Sequence, residues 1–313
     1  MLNEVEKRLA ILINVSGGSA TSEAEFRRFA TMGIKFSISA MTARSDKRED
    51  PYPPMNATDK LFAVFSLFTY EKPEWTVDEA AEQLGYPVST AYRFFKSLSD
   101  EGLIVAYAAG RYVLGPAIIQ LDRQIRLQDP LIKAGSSIMK RLAAESPFDG
   151  TFLLCRLYRN QVICVHQEAR GFSDLTVSYE RGRLMPLHRG AASKIILAHL
   201  PVRPVRAYQA TNATDIEAAG LGGDWETMKQ SLRRIRKAGI CITHAELDNG
   251  AIGIAAPLFL LDESVVGSLG LVLLEQDINK QLVPTISQKL MAAAAEITAR
   301  LRTKTGGSHQ APS

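Results

Sequence analysis

Hydrophobic residues at 61, 62, 64, 65, 67 and 68 repeat with helical spacing over residues 59–70, DKLFAVFSLFTY, and predict a first helix. Thr76 and Glu79 then stand at capping-box spacing around the start of a second short helix, Val77, Ala80, Ala81 and Leu84, which Gly85 should end. Pro87 cannot extend it. Ser89 or Thr90 is placed to cap a third helix, with Ala91, Phe94, Phe95 and Leu98 on its apolar side. Its other side carries Ser89, Thr90, Tyr92, Arg93 and Lys96. Apolar runs at 102–105 and 111–114, around Ala108, Ala109 and Gly110, predict a β-hairpin directly afterwards. Helix, tight turn, helix and hairpin in this order make a winged helix-turn-helix, placed over residues 57–115.

Apolar positions 118, 121 and 125 mark a linker helix over 116–128, a plausible seam between two copies or an ordinary connector. Asp129 and Pro130, an N-cap followed by proline at the first helical position, open a helix to about residue 145. From Gly150 the period changes to two. Runs at 152–157 and 162–166 flank Arg159 and Asn160 like a hairpin, and 175–179 is a candidate third strand. A helix at 193–199 follows, then one at 224–237, capped by Asp224 and stopped at Gly239. Strands at 252–260 and 265–274 surround a turn at Asp262, Glu263 and Ser264, and a helix at 283–302 closes the chain. Helices flanking an antiparallel sheet make residues 129–302 an α+β domain. Residues 1–56 break this order, with Gly17, Gly18 and Ser19 and a charged, proline-ended stretch at 43–54; they are expected to be a disordered extension, or a start-site artefact with Met41 or Met55 as the true start. A polar, disordered tail is expected at 303–313.

Composition narrows the class. The 313 residues are 46% hydrophobic and 22% charged, as in a soluble globular protein. No apolar run reaches a membrane span, and the start makes a poor signal peptide. Cys155, Cys164 and Cys241 form no C-x-x-C pair, so the expected location is cytoplasmic, without disulfides. Hydroxyls, a phenol and two cations on the outer side of the third helix suit phosphates and base edges in a DNA major groove. Charge tells against this: residues 57–120 sum to −3, against +6 for 121–313. Binding would have to rely on Arg93, Lys96 and Arg111 locally, with few phosphate contacts and a second copy to strengthen them.

Other chemistries fit less well. Ser137 to Lys140 reads S-x-x-K and Lys304, Thr305 and Gly306 read K-T-G, but no S-D-N occurs and the K-T-G falls in the tail. Cys164 and His166 are expected on one strand face with Cys155 opposite Cys164, a conceivable zinc or redox site against the plainer reading of buried cysteines. Ser193 and Cys155 are the candidate nucleophiles of a hydrolase, with no sequence-evident base. No catalytic residue, metal or cofactor is assigned.

Four stretches carry a resemblance: PVSTAYR at 87–93, GRYVLG at 110–115, GRLMPLH at 182–188 leading to Lys194, and Glu246 through Gly250 to Ala255, Ala256 and Pro257. In this order and spacing they resemble the IclR family of bacterial transcriptional regulators over roughly residues 58–302. The resemblance implies a winged-helix DNA-binding domain, a dimerising linker helix and a GAF-like effector-binding domain, in homodimers or homotetramers that bind double-stranded DNA and a small-molecule effector. Ser89, Thr90, Tyr92 and Arg93 match its groove-facing positions and Arg111 its wing; Arg93 suits a guanine or a phosphate equally. Its effector pocket maps to His188, Ala191, Ala192, Glu246, Gly253, Gly270 and Val272. Here a cysteine position is Gly253, two serine positions are Gly270 and Val272, and acidic positions are Thr243 and His244. Fewer polar partners imply a larger, more apolar pocket and a bulkier organic acid, aromatic ones included. The alternative is a metabolite-binding module that no longer acts through DNA.

Overall fold

The computed structural model describes residues 56–171 and 178–305. All of the expected N-terminal extension except Asn56 lies outside them, as do residues 172–177 and those from 306 onward. The described residues from Leu61 onward form one compact unit.

Helix α1 (Ala57–Phe65) is shorter than its periodicity predicts. It opens on a reciprocal cap, the Asp59 amide donating to the Asn56 side chain at 2.9 Å and the Asn56 amide to Asp59 at 3.2 Å. The chain then turns into β1 (Trp75–Thr76), where buried Trp75 donates its indole N–H to the Leu67 carbonyl at 2.8 Å. Helix α2 (Val77–Leu84) has the predicted capping box, and Gly85 ends it at φ 66°, a left-handed conformation that favours glycine.

Helix α3 (Val88–Asp100) corrects one expectation: its N-cap is Pro87, not Ser89 or Thr90. The Pro87 carbonyl accepts from the amides of Thr90 and Ala91 at 2.9 and 3.1 Å, so the helix starts a residue or two earlier than its hydroxyls suggested. Strands β2 (Ile104–Ala108) and β3 (Arg111–Leu114) form the wing, and β1 joins them in the order β1-β3-β2. Phe95 anchors the core beneath α3, edge-on to Tyr112 with ring centroids 4.9 Å apart.

Helix α4 (Pro116–Gln128) leaves the wing through Gly115, where a Cβ would sit 2.2 Å from the Gly102 carbonyl oxygen. None of its side chains is buried. Helix α5 (Pro130–Glu145) starts at Asp129, whose carboxylate accepts from the amides of Leu131 and Ile132 at 2.8 and 3.1 Å.

The rest of the chain contributes β4 (Gly150–Tyr158), β5 (Gln161–Arg170), β6 (Leu184–Pro186), α6 (Ala191–His199), α7 (Val202–Ala218), α8 (Trp225–Ala238), β7 (Cys241–His244), β8 (Ala251–Phe259), β9 (Val265–Leu274) and α9 (Val283–Thr305). The strands form one antiparallel sheet in the order β6-β5-β4-β9-β8-β7. Period-two alternation divides its side chains between two cores. Phe152, Leu154, Ile252, Ile254, Leu269 and Leu271 pack toward α5 and α9, while Leu153, Cys155, Ala251 and Ala255 pack toward α6 and α8. The sheet thus lies between two helical layers, and α6 sits against β8 and β9.

A bulge in β5 revises the cysteine expectation. Cys155 faces Cys164 as predicted, but Leu154 pairs with His166, leaving Val165 as the extra residue. Neighbours on β4 point to opposite faces, so Cys164 and His166 do too. Among the described residues no cluster of three or more His, Cys, Asp or Glu side chains could hold a metal, and no helix is long and apolar enough to cross a membrane. The candidate strand at 175–179 lies mostly outside the described residues; Ser178 and Tyr179 are not in a strand.

Candidate functional site

Two surfaces gather the candidate residues. On α3, Ser89, Tyr92, Arg93 and Lys96 are exposed and Thr90 is half-buried. Because Pro87 begins the helix, the hydroxyls of Ser89 and Thr90 make no capping bond and remain available. Arg93 forms no ion pair among the described residues. The other two candidate cations are engaged: Lys96 Nζ lies 2.8 Å from Asp100, and Arg111 lies 3.0 Å from Glu74 and 3.7 Å from Glu79. Tyr107 donates its hydroxyl to Glu74 as well. The Thr76 backbone amide first, then Lys72 and Arg111, hold the Glu79 carboxyl below its usual range. Part of the acidity of this region is therefore spent on its own wing.

The second surface is a cleft of about 390 Å³, its open mouth included, between the N-terminus of α6, strands β8 and β9, and the segment after β7. Ala191, Ala192, Glu246, Gly253, Gly270 and Val272 all line it. His188 is not among its lining residues. It is buried, with Nδ1 2.8 Å from the Tyr208 hydroxyl, which also accepts the Leu187 amide at 3.0 Å; burial lowers its pKa and favours the neutral ring. Sequence reasoning did not assign Tyr179, Leu247 and Asp248 to the cleft, where they arrive from loops. At Gly270 a Cβ would make ordinary contacts with Leu153 and Ala192 at 3.6 and 3.7 Å, whereas at Gly253 it would meet Thr243 Oγ1 at 2.9 Å. Thr243 thus occupies part of the space that a side chain at 253 would need.

A polar frame fixes the cleft. Lys194 and Glu246 form a buried ion pair, with Lys194 Nζ also donating to the Ala219 carbonyl at 2.7 Å. The other Glu246 oxygen accepts the Gly190 amide at 3.2 Å. Tyr179 donates to the Arg189 carbonyl at 3.0 Å, so Ser193, 2.6 Å away, must donate to the Tyr179 oxygen. Asp248 accepts from the Ser178 amide and hydroxyl. The amides of Ala191 and Ala192, at the first turn of α6, make no hydrogen bond among the described residues, while the Ser193 amide is directed at the Tyr179 oxygen. Neither candidate nucleophile is activated. Ser193 is fully buried, and the hydrogen bond that Cys155 donates to Cys164, together with burial, pushes the Cys155 thiol well up.

Tyr179 also lies two residues from a junction with the linker helix. Arg181 pairs with Asp122 of α4, which Arg126 contacts at 2.7 Å, and Arg181 Nε donates to the Val165 carbonyl at 2.8 Å. Arg181 foremost, with Arg126, holds the Asp122 carboxyl low.

Family profiles decide what this arrangement belongs to. Residues 127–299 match the profile described as "Bacterial transcriptional regulator IclR C-terminal", and residues 57–106 match the IclR helix-turn-helix domain. The chain belongs to the IclR family. Among relatives of this family, the HTH-type transcriptional regulator KipR of Bacillus subtilis is 25% identical over 244 residues, covering 77% of this chain and 95% of its own. A glycerol operon regulatory protein of Streptomyces griseus is 27% identical, covering 69% of this chain and 84% of its own. Among solved structures, an IclR-type transcriptional regulator from Alicyclobacillus acidocaldarius shares the fold with a TM-score of 0.65 at 22% identity, over 78% of this chain and 98% of that one. An IclR homologue from Microbacterium hydrocarbonoxydans, complexed with 4-hydroxybenzoate, does so with a TM-score of 0.63 at 19% identity, over 79% and 100%. Members of this family are DNA-binding transcriptional regulators with a C-terminal ligand-binding domain, and the family is not enzymatic. Family membership therefore favours DNA binding over a module that has abandoned it, despite the acidic winged helix.

Proposed function

We propose that this regulator reads its operator through Ser89, Thr90, Tyr92, Arg93 and Lys96 of α3, with Arg111 on the wing, and that a small organic acid in the α6 cleft controls its operator affinity. One observation carries the effector class. The unpaired amides of Ala191 and Ala192 lie at the positive end of α6, where the cleft begins, and suit a carboxylate. Glu246 does not oppose this, because Lys194 neutralises it. Leu153, Ala251, Ile254 and Val272 supply the wall for an apolar body, aromatic ones included. The bound 4-hydroxybenzoate of the Microbacterium homologue supports the same class. The route outward runs from Tyr179 to Arg181 and Asp122 on α4, whose exposed Ile119, Leu121, Ile125 and Leu127 supply a surface for a second copy in a cytoplasmic dimer or tetramer.

The test is a band-shift titration on the upstream DNA of the protein's own gene, with a panel of aromatic and short-chain acids. A specific shift altered by one acid is expected. A folded protein giving no specific shift would refute the operator assignment, and a shift indifferent to every acid would refute the effector class.

A further inference from the structure

We infer that a second anion site lies behind the effector cleft, in the open groove between α8 and edge strand β7, and that it takes a monocarboxylate with an apolar body. The groove encloses about 730 Å³, its mouth included, and its charged lining residues are Lys194 and Arg234, with no acid among them. The Lys194 side chain is only 9% exposed. An ammonium has three N–H donors, and this one spends two, on the Ala219 carbonyl and on Glu246. Among the described residues no third acceptor meets it, which leaves one N–H for a ligand. Among the described residues Arg234 bonds only the Ser231 hydroxyl, at 3.0 Å, and meets no carboxylate. Leu221, Ile235 and Ile242 form the apolar wall beside these donors. A carboxylate answers Lys194, Ser231 and Arg234 together, and its hydrocarbon covers the wall.

Lys194 also makes this site speak to the first one. Glu246, its partner, lines the effector cleft and holds the Gly190 amide at the entrance to α6. An acid that draws Lys194 toward the groove leaves Glu246 less neutralised and disfavours an anion in the cleft. The coupling is therefore negative; this part alone rests on the effector reading above.

The experiment is calorimetric titration of the full chain with octanoate, using octanol as the uncharged control. Octanoate should bind about tenfold or more tightly than octanol, and Arg234→Glu should weaken octanoate by about tenfold or more while sparing octanol. Arg234 is exposed, so this variant should keep its fold. Ala192→Leu, which fills the effector cleft, should leave octanoate binding unchanged. Absence of octanoate binding, indifference to Arg234→Glu, loss of binding in Ala192→Leu, or a change of oligomeric mass on adding octanoate would each overturn the site, the last because the groove would then lie between copies of the chain. Benzoate probes the coupling: octanoate should weaken it, and benzoate should weaken octanoate by the same factor. Benzoate that fails to bind would count against the effector class alone, since octanoate and Arg234→Glu still decide the groove.

Discussion

Cation–carboxylate pairs occur in both halves of the molecule, and the pair that walls the cleft differs from those of the winged helix in what surrounds it. In the winged helix, Lys96 and Asp100 are 63% and 61% exposed and Arg111 and Glu74 are 39% and 37% exposed. Such pairs contribute about 0–1 kcal/mol, so a phosphate can take the place of the carboxylate at small cost. In the sheet domain, Lys194 and Glu246 are 9% and 16% exposed, and removing one partner of a buried pair costs about 3–5 kcal/mol. Exchangeable partners suit a surface that docks on DNA, and a fixed pair suits the wall of a cleft. The negative sum of residues 57–120 is, in this light, compatible with DNA binding: three of its acids, Glu74, Glu79 and Asp100, hold cations that phosphates can reclaim.

The comparison is broken most severely by Glu246→Ala. It strands the Lys194 ammonium and should cost about 3 kcal/mol or more, seen as a lower midpoint in denaturant unfolding; an unchanged midpoint would mean that the pair is as replaceable as those on the wing. Arg93→Ala comes next, with about 1–3 kcal/mol of operator affinity lost in band shifts while unfolding and acid binding stay unchanged. Glu74→Gln should sharpen the contrast in the other direction. It leaves Arg111 with the longer contact to Glu79, at 3.7 Å, and should tighten DNA binding by less than about 1 kcal/mol, steepening the salt dependence by up to roughly one counterion, with little change in stability. A salt slope identical to that of the parent protein would show that Arg111 does not reach phosphate.

The smallest effect is a pH slope. Burial depresses the pKa of both His188 and His199 in the folded chain. The unfolded chain then binds more protons, so their contribution is fully present above the unfolded value of about 6.5 and is lost as pH falls through the folded values. Thermal melts between neutral and mildly acidic pH should show this decline, and His188→Gln should flatten it.

How far each region could be read in advance follows from where its information resides. The capping box at Thr76 and Glu79, the stop at Gly85 and the wing are local chemistry, and all appear where expected. The long central strands are near-continuous apolar runs bounded by turn residues and were visible too. Helix α7 was missed because Pro201, Pro204 and a kink at Asn212 (φ −133°) interrupt its pattern, and β6 and β7, at 3 and 4 residues, are too short to show a period. The cleft was harder. Ala191, Gly253 and Gly270 have no chemistry of their own and entered only through the family resemblance, while Tyr179 and Asp248 reach the cleft by loops whose course no periodicity encodes. His188 shows the converse: a conspicuous residue in a matching motif that the fold places against Tyr208.

Helix α4 carries a consequence in mass action. It has 13 residues, near the lower limit at which an isolated helix persists in water, and it buries none of its own side chains. Beyond its ends, which meet β2 and α5, Arg181 holds it through Asp122, and in the dimer proposed above its exposed apolar surface would be covered by the second copy. Its order would then rise with chain concentration, so that dilution would loosen the linker before either domain unfolds. Two winged helices would acquire a defined separation only once copies had met, and selectivity for operator spacing would become a property of the cell's supply of this protein as much as of its sequence.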